Sequence, residues 1–340
     1  MTAVKWGLVG FGEQAKRMVG SLKKLKDVEI AGVCCSSEER GQEAKEFLGV
    51  RVYGKFADFL SDPEIQVVYI ATPHHLHTPQ AFKAVEAGKN VLVEKPMALS
   101  MDGAHKLIDA AGKKKVILGV NFALRQHPGL QEIKRDIQDK CLGNIIQIHA
   151  HLSRSTCQGE GWRGDQFHSG PMCLMDLGVQ GIDLAVWFTG ERAQEVAVIG
   201  RGGRDDHTLN VSAMVSIYFP SGAQAAVSCS NMSGGAGNFI AVRGSEKQVL
   251  VEMNWPEGDG SVRIRKAQSG REEEKRYDPM DLCMVTAQNF NSAVQGQMTF
   301  SPCCVETYPV VEATCAAIES LKGGRSIRAG QVLRVFGMRF

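Results

Sequence analysis

The stretch Lys5-Trp6-Gly7-Leu8-Val9-Gly10-Phe11-Gly12-Glu13-Gln14-Ala15 restricts the fold of this chain more than any other. A short apolar run ends in G-x-G-x-x-A and passes into an amphipathic segment, so a strand has to turn sharply into a helix. Gly10 permits the tight turn, Gly12 lets another group approach the backbone, and Ala15 lets the helix lie close to the sheet. The amides that open the helix then face outward and suit an anionic diphosphate. With a strand before it and a helix after it, the pattern is a dinucleotide fingerprint, with Gly10, Phe11, Gly12 and Gln14 at its cofactor edge.

The first third continues the same alternation. Strand-like runs at 5–9, 29–34, 67–71, 90–93 and 116–120 are separated by helical patterns at 14–22, 38–48, 79–87 and 101–111. This predicts β-α-β units and a doubly wound parallel sheet, a Rossmann fold. Thr78 reads as an N-cap with Pro79 at the first helical position, and Gly88 as a left-handed C-terminal residue. Past residue 122 the rhythm changes. A helix at 128–137 and a strand at 145–152 precede a polar loop that runs to about residue 171. A strong helix pattern covers 174–188. Alternating strands follow at 195–200, 211–219, 223–230, 239–243, 247–253 and 261–266, with hairpin-like spacing that predicts a mainly antiparallel sheet. Residues 271–276 read as a solvated charged loop, and 282–294 and 308–321 as helices. The expected fold is α/β, with a Rossmann domain over 1–122 and a second α/β domain for substrate binding and oligomerisation over 123–340. A chain of 340 residues exceeds the usual size of one core.

Bulk composition excludes several classes. A formal net charge of +2 gives no electrostatic reason for nucleic acid or an anionic membrane. No apolar run approaches the ~20 residues of a membrane span. The N-terminus leads straight into a strand without the build of a signal peptide, so a cytoplasmic protein is expected. The ten cysteines form no C-x-x-C pair and read as reduced thiols, with no metal site. G-x-S-x-G, H-E-x-x-H and G-x-x-x-x-G-K are all absent.

The second strand closes with Gly32-Val33-Cys34-Cys35-Ser36-Ser37. It lacks the Asp or Glu that ordinarily holds the ribose 2′-hydroxyl of NAD. Ser36, Ser37 and Arg40 suit a 2′-phosphate instead, so NADP is favoured over NAD; the alternative is that Arg40 is a solvated helix residue.

Two further segments carry a resemblance, Ala71-Thr72-Pro73-His74-His75-Leu76-His77-Thr78-Pro79 and Ala87-Gly88-Lys89-Asn90-Val91-Leu92-Val93-Glu94-Lys95-Pro96. Together with Gly10-Phe11-Gly12 they make the chain similar to the Gfo/Idh/MocA oxidoreductases, which include glucose-fructose oxidoreductase and inositol 2-dehydrogenase. The likeness continues through Gly119-Val120-Asn121-Phe122 with Arg125, Trp162-Arg163, Asp176-Leu177-Gly178 and Tyr308 to Ala313. It implies a Rossmann domain joined to a domain with a large open sheet, whose face often mediates dimer or tetramer formation. It also implies that Lys95 meets substrate and nicotinamide. Glu94 reads as orienting Lys95 or the cofactor rather than performing chemistry. Trp162 and Arg163 fall near the cofactor by the same likeness. Position alone supports Lys95 as well, because a lysine just past the C-terminal end of a parallel strand lies where such sheets bind ligands. Thr72, Pro73 and His77 are assigned to the cofactor side. Asn121 is assigned to substrate or carboxamide.

One departure matters. Such enzymes usually carry D-x-G-x-H on a helix, and here the sequence is Asp176-Leu177-Gly178-Val179-Gln180. A glutamine amide can hydrogen-bond a hydroxyl but does not titrate near neutrality. Three explanations compete: Lys95 carries the proton itself, another group such as His168 substitutes, or catalysis is weak or absent. Asp183, one turn further on, either holds substrate hydroxyls or partners a nearby backbone group or arginine. The leading expectation is an NAD(P)-dependent oxidoreductase acting on a secondary alcohol or ketone of a sugar or cyclitol. The alternatives are a catalytically weak dinucleotide- or sugar-binding regulatory protein and an NAD-assisted glycosidase.

Overall fold

The computed structural model describes residues 3–154, 162, 171–201, 212–231, 237–255 and 260–331. The chain divides into two compact units, Met1–Ala123 with Asp281–Tyr308 and Leu124–Met280 with Pro309–Phe340. A single boundary near residue 122 therefore omits the return of 281–308 to the first unit.

The first unit holds a six-stranded sheet in the order β3-β2-β1-β4-β5-β6, formed by β1 (Val4–Val9), β2 (Val28–Cys34), β3 (Arg51–Tyr53), β4 (Val67–Ile70), β5 (Asn90–Glu94) and β6 (Leu118–Asn121). All pairings are parallel. The strand order reverses between β1 and β4, so a crevice opens at their C-terminal ends, where such sheets take ligands. Helices α1 (Glu13–Leu22), α2 (Glu38–Leu48), α3 (Phe56–Ser61), α4 (His74–Glu86) and α5 (Met101–Lys114) connect the strands. The short β3 and α3 lack a readable period and were not anticipated. Helix α4 starts four residues ahead of Thr78, at His74, with Pro79 inside it. Pro73 opens the turn by accepting from Leu76 N, and Thr78 Oγ1 instead donates to Met97 O.

Helix α8 (Leu282–Val294) joins this unit because the fully buried Trp6 needs a partner for its indole. Trp6 Nε1 donates to Asn291 Oδ1 at 3.2 Å, and the ring packs edge-on to Phe290. Asp281 caps the helix through Met284 N and also accepts from Ser21 of α1 and from Lys24 just past its end.

The second unit is built on a nine-stranded sheet ordered β14-β13-β12-β11-β7-β10-β9-β8-β15. Its strands are β7 (Ile145–Ser153), β8 (Glu195–Arg201), β9 (Ser212–Tyr218), β10 (Gln224–Ser230), β11 (Asn238–Gly244), β12 (Gln248–Met253), β13 (Val262–Gln268), β14 (Arg271–Tyr277) and β15 (Ile327–Arg328). Only β7 and β10 pair in parallel. Alternate residues such as Ile148, Ala150, Val215 and Val227 are buried on one face. The other face carries Ile199, 82% exposed, and Met214, 65% exposed, directly opposite each other across β8 and β9. Beside the sheet stand α6 (Pro128–Gln138) and α7 (Val179–Thr189), the latter entered through a π-helical turn at Leu174–Gly178. The last long helix is α9 (Cys304–Gly323).

The charged 271–276 segment is not a loop. It forms β14, an exposed edge strand whose glutamates pair across to β13, as in Arg265–Glu272 and Arg263–Glu274. Charged side chains along such an edge discourage another strand from adding to it.

His127 caps α6, its Nδ1 accepting from Gly129 N at 3.1 Å, and it is buried against Tyr277. Burial lowers its pKa to about 4. A folded-state value below the unfolded one means that the unfolded chain binds the proton first as pH falls. The stability contribution is therefore complete above about pH 6.5 and is lost progressively toward pH 4. His127→Asn retains a capping acceptor and removes the titration. Urea unfolding at pH 7 and pH 5 should show a smaller pH-dependent loss in this variant; an equal loss would assign the effect elsewhere.

Candidate functional site

In the first unit the predicted cofactor residues gather at the C-terminal edge of the parallel sheet. Gly10 has φ +88°, and its N donates to Cys34 O at 2.9 Å, joining the glycine turn to the end of β2. A Cβ on Gly10 would meet Ala71 O at 2.9 Å, whereas one on Gly12 would meet nothing within 4 Å. The space in front of Gly12, before the first turn of α1, is thus open to a ligand. Phe11 is buried.

Glu94 ends β5 and is buried. A buried carboxylate needs donors, and its Oε1 has three: Gln14 Nε2 at 3.1 Å, Tyr69 Oη at 2.5 Å and Asn121 Nδ2 at 2.5 Å. Burial, then the Glu94 charge, pushes the Tyr69 phenol well above its ordinary pKa, so it stays protonated and donates. Asn121 keeps a buried Oδ1 without a partner. Lys95 follows Glu94, half-buried, before a cis bond to Pro96. Sequence reasoning missed Tyr69; its signal is a tyrosine within the apolar run 67–70, where a hydroxyl must find a buried acceptor.

His77 does not face open space. Its Nδ1 and Nε2 lie 2.8 Å from Pro96 O and Thr72 O, and the ring is buried. Burial, the largest influence, holds its pKa below the usual histidine value. The neutral ring donates to one carbonyl and ties the Thr72-Pro73 segment to the Lys95–Pro96 turn. Thr72 Oγ1 donates to Gln80. Ser37 caps α2 by accepting from Arg40 N, and Arg40 Nη1 donates to Glu43 Oε2 at 2.8 Å. Ser36 is exposed in the turn before it.

In the second unit Asp176 lies in the π-helical turn, where Val179 N reaches back to Leu174 O. Its Oδ2 is 2.7 Å from Arg154 Nη2, at the end of β7. Arg154 was not anticipated; a lone arginine closing an alternating strand is the only sequence signal. Asn231, just past β10, carries a buried Oδ1 without a partner. Gln180 is buried in the first turn of α7. Asp183 has a different environment from the one expected of a substrate ligand. Arg125 Nε and Nη2 bond both its oxygens at 2.6–3.1 Å, both side chains are almost wholly buried, and the guanidinium lies over Trp187. The pairing reading holds, because leaving either charge alone there would be costly. Trp162 is half-buried; Arg163 and His168 lie outside the described residues.

The second unit also has a cavity of about 870 Å³ lined by Ser153, Asn238, Trp255, Arg263 and Tyr277, among others. None of the predicted site residues lines it. Among the described residues there is no cluster able to hold a metal ion, and no helix is long and apolar enough to cross a membrane. The nine described cysteines are free thiols.

Residues 4–122 match the oxidoreductase family with an NAD-binding Rossmann fold, and residues 130–250 match the GFO/IDH/MocA C-terminal domain. The chain belongs to the GFO/IDH/MocA oxidoreductase family. Among its relatives is 1,5-anhydro-D-fructose reductase of Ensifer adhaerens, 26% identical, covering 86% of this chain and 88% of that protein. Two solved structures share the fold. Levoglucosan dehydrogenase in complex with NADH and levoglucosan is 20% identical with a TM-score of 0.84, covering 97% of this chain and 100% of that one. A 3-ketoreductase from Actinomadura kijaniata, in complex with NADP and TDP-benzene, is 19% identical with a TM-score of 0.84, covering 94% and 98%.

His77→Ala would remove the donor from the one buried carbonyl it serves and should lower stability by about 1–3 kcal/mol. Urea unfolding at pH 7.5 measures this, and an unchanged midpoint would remove the tie from the account.

Proposed function

We propose that the protein reversibly oxidises a secondary alcohol on a pyranose or cyclitol, or reduces the matching ketone, using a nicotinamide dinucleotide, with NADP favoured over NAD. The carrying observation is the Glu94 cluster. Three donors fix the carboxylate that immediately precedes Lys95, at the sheet edge beside the glycine turn. The open space at Gly12 and the unpartnered Asn121 Oδ1 fit a dinucleotide. Gly10, Phe11, Gly12 and Gln14 would hold its diphosphate end, and Thr72, Pro73, Glu94 and Asn121 its nicotinamide end. Ser36, Ser37 and Arg40 would face a ribose 2′-phosphate. Trp162 and Arg163 complete the proposed cofactor set.

Oxidising a carbinol removes a proton from oxygen and a hydride from carbon. When bound, the nicotinamide supplies the hydride acceptor. Lys95 Nζ holds the substrate oxygen and takes its proton. Asp176, held by Arg154, and Gln180 hold substrate hydroxyls. The relatives named for anhydrofructose, levoglucosan and a 3-keto group support a sugar-like substrate.

A second reading, a dinucleotide- or sugar-binding regulatory protein without turnover, is favoured by Gln180, whose amide cannot take a proton. One experiment separates the two. The purified chain is screened with NADH, NADPH and the oxidised coenzymes against sugars, inositols and keto-sugars, beside Lys95→Ala and Gln180→His variants. The enzyme reading expects turnover that falls roughly 10²–10⁴-fold in Lys95→Ala. Turnover that appears only in Gln180→His supports the regulatory reading.

The exposed face bearing Ile199 and Met214 is proposed to pair with a second copy of the chain, as dimer or tetramer, because an apolar strip of this kind favours burial. Light scattering should find an oligomer that Ile199→Arg dissociates; a monomeric unmodified chain would overturn it.

A further inference from the structure

We propose that Glu43 sets coenzyme preference by occupying the two cations, Lys16 and Arg40, that would otherwise receive a ribose 2′-phosphate. The inference rests on the dinucleotide reading of the first unit and names a specificity-determining residue within it.

The glycine turn and the end of β2 are joined by Gly10 N donating to Cys34 O. The segment after β2, Cys35 to Ser37, therefore leaves the sheet beside that turn and enters α2 at its Ser37 cap. Arg40 lies in the first turn of α2, and its Nη1 donates to Glu43 Oε2 at 2.8 Å. Lys16, one turn into α1, donates through Nζ to the other carboxylate oxygen, Glu43 Oε1. Lys16 Nζ also lies 5.7 Å from the ring centre of Phe11, the residue at the middle of the glycine turn. One carboxylate thus bridges the two helices that flank the expected position of the adenosine ribose, with one cation on each oxygen.

Charge decides the consequence. Two cations and one carboxylate leave a single net positive charge for a phosphate that carries close to two negative ones. Glu39, beside Arg40, adds further negative potential. Lys16 first, then Arg40, holds the Glu43 carboxyl below its ordinary pKa, so it remains ionised at neutral pH. A ribose 2′-hydroxyl is uncharged and does not compete for these cations. Glu43 therefore weakens binding of the phosphorylated coenzyme selectively. Lys16 and Arg40 are the residues that make such binding feasible at all.

The test is a fluorescence titration of the full chain with NADH and with NADPH, comparing the unchanged protein with Glu43→Gln and Glu46→Gln. Glu46 is on the same helix and partners Gln42, so its variant removes an equal charge without touching either cation. Glu43→Gln should raise the ratio of Kd for NADH to Kd for NADPH roughly fivefold at low salt, the scale of two exposed ion pairs released. The gain should shrink at high salt. Glu46→Gln should leave the ratio where it was. Binding of both coenzymes with an unmoved ratio in Glu43→Gln, or an equal shift in Glu46→Gln, overturns the role of Glu43 and leaves the dinucleotide reading intact. Failure of the unchanged protein to bind either coenzyme overturns both.

Discussion

One carboxylate oxygen, Oε1 of Glu94, collects hydrogen bonds from α1, β4 and β6 through Gln14, Tyr69 and Asn121. An ionised group at that depth is tolerated only when its lost hydration is replaced. The three donors therefore have to arrive together, and this fixes the edges of adjacent elements at one level. Lys95, one peptide bond further along, inherits that position. His77 adds a second constraint by joining the turn after β5 to the segment after β4. The edge of the sheet is thus rigid where the family's chemistry is expected.

The second unit separates two carboxylates that look alike in the sequence. Asp176 and Asp183 lie two turns apart on one helical stretch, and each meets an arginine. Arg125 and Asp183 retain side-chain exposures of 2% and 1%, so their pair is sealed and fixes the helix against its neighbours. Arg154 and Asp176 retain 22% and 11%, at the end of a strand and in a widened π turn. Burial distinguishes a structural pair from one that can still reach a ligand, and π turns frequently accompany functional positions.

The nucleotide end shows how a local signal can be incomplete. A β2 end lacking an acid and followed by Ser36, Ser37 and Arg40 reads as favourable to a 2′-phosphate. Glu43, only one helical turn beyond Arg40, reverses part of that preference, and Lys16 enters from a different helix. Charge balance at such a site is a sum over elements that are distant in the chain.

The sequence by itself determined the parallel and antiparallel sheets, most strand positions, the glycine turn and the placement of Lys95. Each of these follows from short-range periodicity, glycine conformational freedom or the order of adjacent segments. Tertiary structure decided the rest. It placed residues 281–308 with the first unit, because Trp6 requires Asn291 and Phe290. It made a strand of 271–277, because β13 supplies the opposing charges. It gave Asp183 to Arg125, Asp176 to Arg154 and the Glu94 carboxylate to Tyr69. A buried polar group selects its partner by proximity in space, and proximity across 22 to 285 residues has no local signature.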